Sequence, residues 1–145
     1  MNDRYLFRAK RIDNDEWTEG FYALIEKKHV IISKESEGYY TESIVGRHGN
    51  AIVEVNPSTV CQCTGRKDEC SNLIFEHDIV GFIDGMSTEN GFSEHNQVGE
   101  VIWDEETLSF QVTERLSAES YEVLGGGDCK VIGNIFDNPE LLEQE

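Results

Sequence analysis

The chain has 145 residues, 38% hydrophobic and 10% aromatic, and its formal net charge is −17. The hydrophobic content is enough for a folded core and excludes a disordered acidic tail, while the length fits one domain or two very small ones. Because no apolar run approaches the roughly 18 residues of a membrane span and the N-terminus does not resemble a signal peptide, we predict a cytoplasmic protein with reduced thiols.

The charge is distributed unevenly along the chain. Residues 1–67 hold ten acidic and ten basic side chains, whereas residues 68–145 hold nineteen acidic side chains against Arg115 and Lys130. The second segment therefore carries the whole net charge of −17. This asymmetry predicts two surfaces with different partners, although acidity that serves only solubility is the commoner situation.

Short strands are predicted along the first part of the chain. Residues 5–11 (YLFRAKR) alternate in character and predict a strand, and a turn at 13–16 leads into the aromatic, β-prone run 17–25, which completes a hairpin. The apolar β-branched run 29–33 predicts a third strand. The polar, glycine-containing segment 34–50 predicts a long loop or a weakly ordered edge.

The centre of the chain continues this pattern. Residues 51–55 (AIVEV) predict a strand that Asn56-Pro57 ends, because proline restricts the residue before it and lacks a donor. Residues 59–64 predict a short extended piece, and the charged stretch 64–69 predicts a turn.

The acidic part of the chain begins with residues 73–75, which lead into a strand at 79–83. The Gly, Ser and Asn content of residues 84–97 predicts an exposed, mobile connection. A second hairpin is then predicted from residues 98–103 and 108–113, which flank an acidic turn at 104–106.

The C-terminal segment predicts a mixture of elements. Residues 115–124 place apolar side chains loosely at helical spacing and predict one or two helical turns, ended by the glycines at 125–127. Residues 129–136 (CKVIGNIF) predict a closing strand. Asn138-Pro139-Glu140 combines a capping residue, a proline whose missing N–H costs nothing there and an acidic first turn, and predicts the start of a short helix.

Five ordered blocks of residues resemble the YopX family of phage and prophage proteins. They are FRAK followed by Trp and Gly-Phe, the central TVxQxTGxKD, IFExDIV, GxVxW and the terminal VIGNIF-x-NPELL. In this chain they appear as Phe7-Arg8-Ala9, Trp17, Gly20, Thr59-Val60, Gln62, Thr64-Gly65, Lys67-Asp68, Ile74-Phe75-Glu76, Asp78-Ile79-Val80, Gly99, Val101, Trp103 and Val131 through Leu142.

The resemblance covers nearly the whole chain and implies its architecture. It implies a mainly β protein with a β-rich N-terminal portion (1–72) and a small C-terminal barrel of the Src-homology or KOW type with a terminal helix (73–145). Strand pairs in the acidic part also suit a barrel of roughly five strands. The family has no established biochemical activity. The chain departs from it at Cys61 and His77, where glycine is usual, and at Cys63, where tyrosine is usual.

Neither a metal site nor a catalytic site is predicted. Cys61 and Cys63 with Cys70 and Cys129 offer the ligands of a four-cysteine zinc site, and His77 is a further candidate. The spacing differs from the usual zinc knuckles, and on a strand Cys61 and Cys63 point to one face. Glu76, His77 and Asp78 form a conceivable acid–base set. The structural interpretation is preferred, with Asp78 stabilising the turn that enters a strand. No nucleotide-binding, hydrolase or metalloprotease motif occurs, so we expect a protein without cofactor that is not an enzyme.

The first functional hypothesis is a non-enzymatic interaction or self-assembling accessory factor. Exposed aromatic side chains on a sheet are typical of protein interfaces. The partner would be a host protein or a second copy in a homo-oligomer. The interacting residues would be Phe7, Trp17, Phe21 and Tyr22, and the alternative is that all four belong to the core.

The second hypothesis is an acidic mimic of nucleic acid that inhibits a host DNA-binding protein. Carboxylates two positions apart on a strand lie roughly 6.6 Å from each other and present a phosphate-like field. Direct binding of nucleic acid is disfavoured, because the acidic part repels phosphate and the basic patch of Arg4, Arg8, Lys10 and Arg11 is small. The residues that would form the acidic surface are Glu100, Asp104, Glu106, Glu114, Glu119 and Glu122.

Overall fold

The computed structural model describes residues 5–33, 52–89, 91–114, 120–122 and 129–143. The chain divides into two compact units, Met1–Cys63 and Thr64–Glu145. The strands in chain order are β1 (Phe7–Lys10), β2 (Trp17–Ile25), β3 (Lys28–Ser33), β4 (Ile52–Glu54), β5 (Cys61–Lys67), β6 (Leu73–Phe75), β7 (Asp78–Thr88), β8 (Gly91–Asp104), β9 (Ser109–Glu114), β10 (Ser120–Glu122) and β11 (Cys129–Asn134).

The protein is mainly β, as the sequence predicts. Its strands form two antiparallel sheets with the orders β4-β3-β2-β1-β5-β6 and β10-β9-β8-β7-β11. Within the described ranges the helical elements are two short 3-10 turns, Pro57–Thr59 and Pro139–Leu142. No helix in this part of the chain is long and apolar enough to cross a membrane.

Two tight turns connect the first three strands. Between β1 and β2, the side chain of Asn14 accepts a hydrogen bond from the backbone N–H of Glu16 at 3.0 Å, a local turn-forming contact typical of asparagine. Between β2 and β3, Ile25 pairs with Lys28. The two residues between them, Glu26 and Lys27, have φ of 50° and 67°, which is the left-handed geometry of a two-residue hairpin turn.

The sheet of the first unit curls back on itself. Beyond the end of β4, Val55 forms an isolated antiparallel bridge with Arg11, just after β1. The N–H of Asn56 donates to the carbonyl of Lys10 at 2.9 Å, and that of Ile12 donates to the carbonyl of Glu54 at 3.2 Å. The end of β4 thus returns to the end of β1.

One buried cluster of the first unit, formed by Ala9, Ile31, Val53 and Val55, lies on one side of these strands. Val30 is buried on the other side, where it pairs with Ala23. Because side chains alternate along a strand, residues 7 and 9 of β1 and residue 22 of β2 face this cluster, and residues 8, 10, 17, 21 and 25 face the other way. This alternation decides which aromatic side chains are available to a partner.

The long hairpin of the second unit corrects one prediction. Residues 84–97 were expected to form an exposed, mobile connection, but residues 84–88 belong to β7 and residues 91–97 to β8, and the two strands pair from Ile79↔Glu100 to Thr88↔Gly91. The Asn-Gly dipeptide at 90–91 is a strong hairpin signal. The Gly and Ser content of this segment therefore lies within paired strands.

Strand β7 pairs on its other side with β11, and β8 pairs with β9. The buried core of this unit consists of Ile74, Val80, Val101, Val112 and Cys129. Gly99 allows β8 and β9 to approach closely, because a Cβ at this position would lie 2.6 Å from Cγ1 of Val112. The predicted strands 98–103, 108–113 and 129–136 are confirmed at their centres.

Three further predictions are corrected: the turn at 64–69, the helical turns at 115–124 and the C-terminal helix. The turn expected at 64–69 begins later, because β5 continues to Lys67 with Gly65 at φ 83°, a conformation that glycine adopts without steric cost. Residues 120–122 form β10 rather than part of a helix, since they pair with β9.

The C-terminal helix is a single 3-10 turn, Pro139–Leu142. The Asn138 side chain accepts from the N–H of Asn134 at 3.3 Å instead of capping this turn. The loop predicted at 34–50 and the glycines at 125–127 lie outside the described residues.

Candidate functional site

The side of the first sheet that faces away from the cluster of Ala9, Ile31, Val53 and Val55 presents a mixed aromatic and cationic surface. Lys10 pairs with Trp17 across β1 and β2, and Ile25 pairs with Lys28 across β2 and β3, so these side chains share one face. We call this surface the Trp17 face. It consists of Arg8, Lys10, Trp17, Phe21, Ile25 and Lys28.

Two cations contact the Trp17 ring. The guanidinium carbon of Arg8 lies 4.8 Å from the ring centroid, and the ammonium nitrogen of Lys10 lies 5.5 Å from it. Both distances fall within the range of cation–π attraction, which is strongest for tryptophan. The indole is half-buried against β1 as a result, and it is held beside the exposed part of the face.

The exposed apolar part of the Trp17 face is formed by Phe21 and Ile25. Their exposed fractions are 38% and 41%, and the two residues lie four positions apart on β2, on the same side. Leu24 is also exposed, at 62%, but it lies on the opposite side of the same strand. Phe21 and Leu24 therefore offer a matched comparison of the two sides.

The face also carries acidic side chains. Glu19 pairs with Arg8 across β1 and β2, and a carboxylate oxygen of Glu54 lies 4.0 Å from the ammonium nitrogen of Lys28. These groups reduce the positive charge of the face. The Trp17 face is thus an apolar strip bordered by charges of both signs, which matches the apolar core and polar rim of a protein interface.

The other two aromatic residues of the interaction hypothesis face the core. Phe7 and Tyr22 pack against the buried cluster of the first unit, with their ring centroids 5.6 Å apart. The Tyr22 hydroxyl is hydrogen-bonded to Nδ1 of His29. The structure therefore brings Trp17 and Phe21 together on one side of the sheet and Phe7 and Tyr22 on the other.

The six acidic residues of the mimicry hypothesis have different surroundings. Oε2 of Glu100 lies 2.8 Å from Nδ1 of His77, Asp104 accepts a hydrogen bond from the backbone N–H of Glu106 at 2.9 Å, and Glu106 is exposed. Glu114 and Glu122 lie in β9 and β10, where only their backbone is described, and Glu119 lies outside the described residues.

The turn between β8 and β9 exposes apolar side chains that the sequence analysis did not assign to a functional site. Trp103 is 43% exposed and Leu108 is 73% exposed. The Trp103 ring contacts Phe110 edge to face, with centroids 5.1 Å apart. Glu105 and Glu106 lie between Trp103 and Leu108 in the chain and are also exposed. The sequence feature that could have predicted this exposed surface is an aromatic residue, Trp103, directly before an acidic turn.

His77 joins three segments of the second unit. Its φ is 70°, its N–H donates to the carbonyl of Val101 at 2.7 Å, and its carbonyl accepts from the N–H of Ile135 at 3.1 Å. Its ring contacts Phe136 edge to face. A carboxylate oxygen of Glu76 lies 3.9 Å from Nε2. The histidine is thus positioned as a structural link between the β6–β7 turn, β8 and the segment after β11.

Asp68 links the β5–β6 turn to β11. Its carboxylate accepts hydrogen bonds from the backbone N–H groups of Cys70 (2.9 Å), Asn72 (2.8 Å) and Val131 (2.9 Å). Burial alone would raise the pKa of this carboxyl, but the hydrogen bonds outweigh burial and hold the pKa of Asp68 below its ordinary value of 3.8. The residue therefore remains ionised and structural at neutral pH.

The four cysteines are the candidate metal ligands of the sequence. Cys61, Cys63 and Cys129 are buried and Cys70 is exposed. The thiol of Cys61 lies 3.1 Å from the carbonyl of Thr59, within hydrogen-bonding distance. Among the described residues, no group of three His, Cys, Asp or Glu side chains is arranged to hold a metal ion.

The fold and the surface define a class of protein: a mainly β chain of two antiparallel sheets with an aromatic, charge-bordered face on the first. The family model described as YopX protein matches residues 6–143. The chain therefore belongs to the YopX family, as its sequence motifs predict. No curated protein matches the chain significantly.

Proposed function

We propose that this YopX protein is a non-enzymatic interaction factor, encoded by a phage or prophage, that binds a protein partner in the host cytoplasm through its Trp17 face. The observation that carries this proposal is the exposure of Phe21 and Ile25 on one side of β2, beside the cation-bound Trp17. The proposal needs no cofactor or metal.

Physical chemistry supports a binding role for this face. Burying exposed aromatic and aliphatic side chains is favourable by roughly 25 cal/mol per Å² of apolar surface. Tryptophan and arginine are the residue types that most often dominate binding energy at interfaces. Because Arg8 and Lys10 already contact the Trp17 ring, these side chains lose less conformational freedom when a partner binds.

The small barrel remains part of the proposal for the second unit. Its support is the five-stranded antiparallel order β10-β9-β8-β7-β11, which has the strand number of such barrels. Closure would require pairing between the end strands β10 and β11. Nuclear Overhauser effects between backbone protons of β10 and β11, observed by NMR, would establish that the barrel is closed.

Partner capture with matched variants tests the binding proposal. Tagged wild-type protein, Phe21→Ser and Leu24→Ser would be compared in lysate of cells that naturally encode the chain, with retained proteins identified by mass spectrometry. We expect a defined protein that is retained by wild type and by Leu24→Ser but lost with Phe21→Ser. Equal retention by both variants of every bound protein would contradict the proposal, provided that both variants melt as wild type does.

The acidic mimic stays an alternative prediction. The same capture experiment distinguishes it, because a mimic would retain DNA-binding proteins that salt releases and added DNA displaces. Among the described residues, few acidic side chains support this hypothesis. Glu100 is hydrogen-bonded to His77, and Asp104 accepts a hydrogen bond from the backbone of its own turn.

A further inference from the structure

We propose that a second copy of this chain is a partner of the Trp17 face, and that the β8–β9 turn of one copy docks on the Trp17 face of another. This inference rests on the proposed function, because it assigns an occupant to the same face. We call the docking element the acidic tip. It consists of Trp103, Asp104, Glu105, Glu106 and Leu108.

The acidic tip has the chemistry that the Trp17 face is suited to bind. It exposes a large aromatic and a large aliphatic side chain, Trp103 and Leu108, with the two exposed carboxylates of Glu105 and Glu106 between them in the chain. The side chain of Asp104 holds the turn through the N–H of Glu106. The tip is therefore a turn that exposes both apolar and acidic side chains.

The charges of the two surfaces complement each other. On the Trp17 face Lys28 is an exposed cation, whereas the ammonium nitrogen of Lys10 lies 3.7 Å from a carboxylate oxygen of Asp15 and its side chain is largely covered. The acidic tip holds three carboxylates and no base. Asp15, Glu19 and Glu54 offset the cations of the face, so burial of apolar surface supplies most of the attraction, and contact of Lys28 with the carboxylates of the tip supplies orientation.

Other pairings of the two surfaces are less favourable. Two acidic tips repel each other, and two Trp17 faces gain no attraction from net charge, because Asp15, Glu19 and Glu54 match their cations. Contact of unlike surfaces buries apolar groups on both sides and brings opposite charges together. Such a contact gives either a closed pair, in which both copies contribute a tip and a face, or an open chain of copies.

Sedimentation analysis of the full chain tests this inference. At about 0.15 M salt, we expect the mean mass of the wild-type protein to rise above that of one chain with concentration, with a midpoint on the order of 1–100 µM, typical of small interfaces. Replacing both Glu105 and Glu106 by Lys should weaken association at least about tenfold. Lys130→Glu changes an exposed charge outside both surfaces and should leave the mass curve unchanged.

A charge exchange between copies provides the sharper test. Lys28→Glu alone should weaken self-association, because it places a carboxylate where the tip docks. A mixture of Lys28→Glu protein with the Glu105→Lys, Glu106→Lys double variant should associate more tightly than either protein alone, as followed by fluorescent labelling of one component. Circular dichroism and melting curves would establish that each variant folds.

Two outcomes would overturn the inference: a wild-type mass of one chain throughout the concentration series, or association that none of these charge changes alters. The proposed function fails separately. If the wild-type protein remains a single chain while Phe21→Ser still abolishes capture of a cellular partner, only the second copy is excluded as occupant. If Phe21→Ser changes neither capture nor self-association, the Trp17 face itself is excluded.

Discussion

Nδ1 of His77 lies 2.8 Å from Oε2 of Glu100, and this contact anchors a residue whose backbone is in the left-handed region, at φ 70°. A side chain other than glycine costs roughly 1–2 kcal/mol in that conformation. The contacts of the His77 ring with Glu100 and Phe136 offset the backbone strain that glycine avoids.

This relationship predicts an unusual order of stability at position 77. His77→Ala should unfold at lower urea concentration than His77→Gly, with a difference of about 1 kcal/mol, because alanine keeps the strain and loses the ring contacts. The control is Lys130, an exposed strand residue that is not among those with positive φ. There alanine should be the more stable replacement. Equal stability of the two variants at position 77 would contradict the strain argument.

Asp68 predicts an acid-sensitive contribution to stability. Asp68→Asn should lower the free energy of unfolding by roughly 1.5–3 kcal/mol at pH 7, because an amide nitrogen cannot accept the hydrogen bonds that a carboxylate oxygen accepts. Since the pKa of Asp68 is lowered in the folded state, the unfolded chain binds the proton more readily, and stability rises with pH. This contribution is complete above the ordinary value of 3.8 and is lost as pH falls through the lower, folded-state pKa.

Urea unfolding of wild type and Asp68→Asn between pH 2.5 and pH 7 would measure this effect. The difference between the two proteins should be constant at the upper end of this range and should shrink below about pH 4. A difference that stays constant down to the lowest pH would show that the ionised carboxylate is not what stabilises the turn.

Two glycines of the long hairpin should respond differently to alanine. At Gly99 a Cβ would lie 2.6 Å from Cγ1 of Val112 and 2.7 Å from the carbonyl oxygen of Thr113, whereas at Gly81 the nearest atoms are 3.9 Å away. We expect Gly99→Ala to cost about 1–3 kcal/mol through overpacking and Gly81→Ala to change stability by less than about 1 kcal/mol. Thermal melting compares the two, and a Gly99→Ala melting temperature equal to that of Gly81→Ala would refute the close approach of β8 and β9.

Tyr22 and Phe21 are neighbours on β2 with opposite orientations. Tyr22→Ala should cost about 1–3 kcal/mol, because it removes a ring that packs on the core and its hydrogen bond to His29. Phe21→Ala should cost less than about 1 kcal/mol, since its side chain is partly exposed. Unfolding curves give both values. A larger loss for Phe21→Ala would mean that Phe21 belongs to the core.

The sequence predicted the strands of the first unit well because their patterns are local. Alternation from residue 5 to residue 33 and the Asn56-Pro57 break carry enough information to locate β1 to β4. The side of the sheet on which Phe21 lies also follows from alternation. Which side is covered does not follow, because burial depends on pairings such as Arg11↔Val55, between residues distant in the chain.

The second unit was harder to predict for two physical reasons. Residues 84–97 have a loop-like composition, but seven of the ten residue pairs between β7 and β8 involve them, and this cooperative pairing overrides weak local propensity. At 120–122 loose helical spacing competed with pairing to β9, and the pairing prevailed. The His77–Glu100 contact spans 23 positions, and no local pattern encodes it.

The most direct test of the Trp17 face is site-specific photocrosslinking in cells that naturally encode the chain. A photoreactive phenylalanine analogue would be placed at position 21 in one protein and at position 24 in another, on opposite sides of β2. The account predicts a discrete protein adduct, to a second copy or to another protein, from position 21 and none from position 24. Adducts of equal yield from both positions, or from position 24 alone, would contradict it.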